Sequence, residues 1–146
     1  MSDNNHQIST PNKKVEQCDE LYRLVEQAYS ILVLIDATDA LEVARSDTIS
    51  SCIDVITNKL MRVEDLLLAQ PFTHEFVMDH LDVMLNATSQ ARAILHVLND
   101  SDALTTVGGD LISNCIWGVT SKLQVVKDAL DEVSTKELQA AKEGDQ

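Results

Sequence analysis

Histidine close to carboxylate is the pairing in this chain best suited to hold a metal or move a proton, and the sequence offers it at His74 and Glu75 with His80 nearby. Two histidines share a helix face when they stand four apart, which His74 and His80 do not. The Glu-x-x-His signature of carboxylate-bridged helical bundles is absent. His96, beside Leu95, is expected at the edge of a core with one ring nitrogen satisfied. Cys18, Cys52 and Cys115 form no Cys-x-x-Cys, and a nucleophilic thiol needs a neighbouring base and a lowered pKa that the flanking residues do not supply. They read as small reduced thiols beside a core, which implies a reducing compartment. Gly108-Gly109 has neither a following Lys-Ser/Thr nor a preceding strand, so it is loop flexibility and no phosphate cradle. Asn86-Ala87-Thr88 matches a glycosylation acceptor only formally, inside an expected helix. No catalytic residue, cofactor or metal is expected from these residues.

Charge narrows the partners. With Asp+Glu 24 against Lys+Arg 11 the net charge is −13, which repels phosphate backbones and anionic headgroups, so direct binding to nucleic acid or a membrane surface is not expected. The longest apolar run, Ile31 to Ile35, falls far short of the ~20 residues a membrane helix needs. The opening residues Ser2-Asp3-Asn4-Asn5-His6 are polar and lack the pattern of a signal segment. A cytoplasmic location is expected. Hydrophobic residues at 45% exclude wholesale disorder, while Gly 4, Pro 2 and 3% aromatics fit helices better than turn-rich strands.

The elements that would position any surface site are written in the chain twice. Sliding 21–67 onto 84–130, a shift of 63 without a gap, aligns identical residues at 18 of 47 positions, against roughly three or four expected by chance. Gln27, Ala28, Ile31, Leu32, Asp39, Ala40 and Leu41 recur as Gln90, Ala91, Ile94, Leu95, Asp102, Ala103 and Leu104. The match tightens from Asp47, Ile49, Ser50, Cys52 and Ile53 onward, recurring as Asp110, Ile112, Ser113, Cys115 and Ile116. The chain therefore reads as a duplicated unit.

Within each unit the apolar spacing is helical. Residues Cys18, Leu21, Tyr22, Val25, Ala28, Tyr29, Leu32 and Ile35 step by three and four, predicting a first helix from about Val15 to Ile35. Ser46 or Asp47 suits the start of a second helix, whose apolar residues fall at 49, 53, 56, 60, 63 and 67. Pro71 ends the unit, and Phe72-Thr73 looks like the start of a third helix over about 74–98, with Thr73 as its cap. The fourth repeats the second's steps at 112, 116, 119, 123, 126 and 130. Neither hairpin can cover its own stripe, but two can bury them against each other. The expected fold is all-α, an antiparallel four-helix bundle of two tandem, sequence-related hairpins. Its rival is a pair of splayed hairpins completed by a second chain. The expected layout is a disordered tail over 1–13 and one domain over 14–133, with hairpins at about 14–69 and 73–133, then a frayed tail over 134–146.

Positions that differ between the units point outward, because the shared fold cannot need both residues. Trp117, the only tryptophan, stands where the first unit has Asp54, which places it near the surface as a binding anchor or a cover for the bundle edge. Tyr29, opposite Arg92, allows the same argument. Leu68, opposite Asp131, either extends an apolar patch toward Phe72 and Phe76 or packs the hairpin junction. In an up-down bundle both intra-unit loops project from one end, gathering Asp36, Asp39, Glu42 and Asp47 with Asp100, Asp102 and Asp110. Only Arg45 offsets them. That pole, about −6, either steers a basic partner or serves capping and solubility.

Two functions compete. The first is a non-catalytic protein–protein interaction module, a regulator or inhibitor, whose partner is another protein with a basic surface or a second copy in a homodimer. The candidate contact residues are Trp117, Tyr29, Leu68, Asp36, Asp39, Glu42, Asp100 and Asp102. The alternative is an acidic mimic of nucleic acid that blocks a DNA- or RNA-binding enzyme, as small phage or mobile-element proteins sometimes do. An enzyme or metal-binding bundle ranks last, since such sites need inward polar groups and these stripes are apolar.

Overall fold

The residues that the sequence sets in three- and four-residue steps lie on helices. In the computed structural model, which describes residues 10–37, 46–69, 75–100, 104 and 108–144, the chain is all-helical. Four helices run over Thr10–Ala37 (α1), Ser46–Ala69 (α2), Glu75–Asn99 (α3) and Gly109–Gly144 (α4). No strand occurs among the described residues. Each helix has two neighbours: α1 and α3 both pack against α2 and α4.

One core results, and its positions repeat. Among the described residues, every side chain buried between 21 and 67 has a counterpart 63 positions later that is also buried, and no buried side chain between 84 and 130 lacks one. Leu32 pairs with Leu95, Ile53 with Ile116 and Leu60 with Leu123, all 2% exposed or less. Where the first half buries Val25, the second buries Thr88, the only buried polar residue described. Its Oγ1 donates to the Met84 carbonyl at 2.7 Å, so the hydroxyl is satisfied within its own helix and costs the core little. Each buried Leu, Ile or Val contributes roughly 1.5–3 kcal/mol of transfer free energy, so these stripes outweigh any exposed ion pair.

The helix starts follow from local chemistry. Asp47 Oδ1 accepts the Thr48 amide at 2.9 Å, and Asp47 is the acidic residue in the first turn of α2. The Gly108 carbonyl accepts the Leu111 and Ile112 amides at 3.1 and 3.2 Å, opening α4, with Asp110 in its first turn. Both acids sit where the unpaired amides of a helix start favour negative charge.

The helices are longer than their apolar stripes. α1 begins at Thr10, ahead of the first apolar step at Val15, with Pro11 in a first turn that has no use for its missing amide. α4 continues through 134–144 although Val133 is its last buried residue among those described. Periodicity marks where packing begins and ends, and the helical backbone overruns it at both termini. Pro71, the expected end of the first unit, and Thr73, the expected cap of the third helix, lie outside the described residues.

Candidate functional site

Two seams join the first half of the chain to the second, α1 against α4 and α2 against α3, and the same positions meet in both. Ser113 Oγ donates to Asp36 Oδ1 across the first seam, and Ser50 Oγ donates to Asn99 Oδ1 at 2.5 Å across the second. Shifting 50 and 36 by 63 gives 113 and 99, so each contact is the other with the halves exchanged. One helical stretch further along, Lys127 Nζ lies 4.5 Å above the Tyr29 ring centroid, and Arg92 ion-pairs with Glu64. Positions 29 and 92 correspond, as do 64 and 127.

Between these two crossings the seams diverge. In the α2/α3 seam Asn99 Nδ2 also donates to Asp54 Oδ1 at 2.8 Å, so Ser50, Asn99 and Asp54 form a continuous polar tie between helices. In the α1/α4 seam Asp54 is replaced by Trp117, which stands 69% exposed. A groove of about 340 Å³ lies there, lined by Tyr29, Val33 and Asp36 from α1 and Trp117, Thr120, Ser121 and Gln124 from α4. These residues recur at steps of three and four, which is why one face of each helix supplies them all. The Thr120 and Ser121 hydroxyls donate back to the Trp117 carbonyl at 2.8 and 2.9 Å. Their donor capacity is thereby spent on the backbone, and Asp36 is the one formal charge on the lining.

The floor of this seam is electrostatically tuned. Lys127 Nζ lies 2.5 Å from Glu26 Oε1, and this hydrogen bond holds the Lys127 ammonium above the usual lysine pKa against the opposing effect of its desolvation. The cation over Tyr29 is therefore held charged. The sequence reading did not find Lys127 or Glu26. For Lys127 the signal was present in the exchange at 29/92 and 64/127, where one half has Tyr and Glu and the other Arg and Lys, but it is readable only once those positions are known to touch.

Of the other candidate contact residues, Leu68 is 70% exposed near the end of α2, at the opposite end of that helix from Asp47. The side chains of Phe72 and Phe76, its expected companions, lie outside the described residues. At the acidic pole Asp36, Asp47, Asp100 and Asp110 are exposed, and Asp36 is brought to the first turns of α4. Asp39, Glu42 and Asp102 lie outside the described residues.

His96 departs from expectation. It is exposed on α3, not at a core edge, and its counterpart Val33 is also 43% exposed, so position and helix phase make this a surface site in both halves. His80 Nε2 lies 2.5 Å from Glu132 Oε2, and His74 is outside the described residues. Among the described residues no three His, Cys, Asp or Glu side chains converge in a way that could hold a metal ion. Cys18 is buried, Cys52 and Cys115 are half-buried against the core, and none of the three is in a disulfide. No described helix is long and apolar enough to cross a membrane. Comparison of the chain with protein-family models, curated proteins and solved structures found no match.

Proposed function

We propose that this chain is a non-catalytic protein–protein interaction module, a regulator or inhibitor of a partner protein, acting in the cytoplasm. Its scaffold in this reading is an antiparallel four-helix bundle of two tandem, related hairpins. The pairings Gln27–Lys59 within the first half, His80–Glu132 within the second and the reciprocal seam contacts all support antiparallel neighbours. The one-to-one repetition of buried positions supports duplication. Trp117 carries the functional reading. A tryptophan offers the largest apolar area of any side chain, and the one that this sequence contains is spent outside the core, over a groove.

The test is capture. Immobilised protein should retain a defined partner from an extract of its native cell, and the purified partner should rebind. Loss of rebinding with Trp117→Ala or Asp36→Asn places the interaction on the α1/α4 seam, and rebinding unchanged by both moves it elsewhere on the surface. If no purified protein rebinds, the module reading falls. Sedimentation equilibrium on the isolated chain reads whether the partner is a second copy.

The nucleic-acid mimic is the second reading, favoured by the exposed carboxylates of Asp36, Asp47, Asp100 and Asp110 and the net charge of −13. It requires capture to weaken steeply between low and high salt. Affinity that is flat with salt rejects it and favours the apolar seam.

A further inference from the structure

Resting on the reading of this chain as an interaction module, we propose that the α1/α4 groove is a docking site for an arginine side chain on a basic segment of the partner, stacked on Trp117 with Asp36 as its counter-ion. Charge complementarity selects the occupant. The corresponding positions on α2/α3 are held by the cationic Arg92, the imidazole of His96, Asn99 in place of Asp36 and Asp54 in place of Trp117. Moving to α1/α4, Arg92 gives way to Tyr29, His96 to Val33 and Asn99 to Asp36. The Arg92 guanidinium and the His96 imidazole are removed from the lining, its one carboxylate moves from position 54 to position 36, and two aromatic rings are supplied. An aromatic face with a carboxylate beside it is what a planar guanidinium binds best, by stacking and by charge-assisted hydrogen bonding together.

Two further observations point to the same chemistry. The seam already stacks one cation, since Lys127 lies 4.5 Å over Tyr29. That ammonium is neutralised by Glu26, so it does not repel a second cation bound nearer Trp117. In addition, replacing aspartate by Trp117 forfeits the tie that Asp54 makes to Asn99 in the other seam. The exchange gives up an interhelical hydrogen bond and exposes an indole. A guanidinium seated between Trp117 and Asp36 would shield the indole and add a charged partner to a carboxylate that otherwise accepts from the Ser113 hydroxyl.

The occupant is a protein segment and not a nucleic acid, whose phosphates Asp36 and the net charge of −13 would repel. The same argument excludes acidic peptides. It ranks lysine below arginine, since an ammonium is more strongly hydrated and cannot stack as a plane.

Trp117 is its own reporter, being the sole tryptophan in the full chain. The full-length protein is titrated with a fluorescein-labelled eight-residue peptide alternating arginine and leucine, with lysine–leucine and glutamate–leucine peptides in parallel. Anisotropy reads binding, and quenching of the unlabelled arginine peptide's complex reads the indole. Saturable binding with Trp117 quenching is expected for the arginine peptide, weaker binding for lysine and none for glutamate. Trp117→Asp, which installs the residue of the corresponding seam, should weaken binding at least tenfold by anisotropy, and Asp36→Asn at least threefold. Asp54→Asn, on the opposite seam, should leave it unchanged. Circular dichroism and melting of each variant check that the fold is kept. No saturable binding, or no quenching, overturns the proposal. So does an equal loss from Asp36→Asn and Asp54→Asn, which would mean general attraction to an acidic surface. A natural partner that rebinds Trp117→Asp undiminished would remove this groove while leaving the module reading intact.

Discussion

The two seams begin from one geometry and end as opposite surfaces. Both have a serine hydroxyl reaching across near one end and a charged crossing further along. Between those points α2/α3 is tied shut by Asp54, Asn99 and Ser50, whereas α1/α4 opens a groove under an exposed indole. Among the described residues the buried positions beneath them match between 21–67 and 84–130. The core is what the fold requires and it is held constant. The rim of each seam contributes little to folding, so it was free to specialise, one side toward self-contained polar bonding and the other toward an exposed aromatic groove.

Substitutions at paired positions break or sharpen this contrast. The largest effects belong to the shared core: Leu60→Ala and Leu123→Ala should each destabilise by about 2–5 kcal/mol. Chemical denaturation checks it, and a neutral result at either would show that matched burial does not mean matched energetics. Next comes the α2/α3 crossing. Glu64 is mostly buried with Arg92 on one oxygen, and its Oε1 has no hydrogen-bond partner. Arg92→Ala should therefore cost about 1–3 kcal/mol by stranding that carboxylate, and Glu64→Gln should recover part of the loss in the Arg92→Ala background.

Smaller effects test the second half alone. Gly118 replaces Val55 inside a long helix, and an added Cβ would meet only Ile94 Cδ1, at 3.8 Å. Gly118→Ala should raise stability by roughly 0.5–1 kcal/mol, read as a higher melting temperature; a loss would show that something there needs the missing side chain. At the α1/α4 crossing the sign runs with alkali. Lys127 is held above the usual lysine pKa in the folded state, so its contribution is complete below the unfolded lysine pKa and is lost as pH rises through the folded value. Glu26→Gln should flatten that alkaline fall, an effect of about 0.5 kcal/mol, visible in melts across strongly basic pH. Last, Trp117→Asp should shift stability by less than about 0.5 kcal/mol while changing binding most, separating the rim's role from the core's.

Much of the helical framework was legible because its signals are local. The stripes at 49–67 and 112–130 gave α2 and α4, and the cap at Asp47 gave the start of α2 almost to the residue. The start of α1 was not legible, since a helix can run ahead of the first residue it needs to bury. Trp117 was placed at the surface from a single comparison, its alignment with Asp54, because a charged residue at that position is incompatible with a buried site. The same comparison would have corrected His96 had Val33 been counted as exposed, but one valine does not announce its own exposure. The seam partners were out of reach for a different reason. Asp36 with Ser113 and Tyr29 with Lys127 are far apart in sequence, and their pairing depends on which helix ends lie side by side, information that no local pattern carries.

The exchange of residues at the charged crossings also bears on which half recognises which. As built, Arg92 meets Glu64 and Lys127 meets the Tyr29 ring. Two second halves assembled on the same geometry would set Arg92 against Lys127 at both crossings, cation against cation, and two first halves would place a mostly buried glutamate against a tyrosine with no cation at all. Homotypic pairing is thereby penalised twice, and each half is fitted to the unlike one to which it is covalently joined.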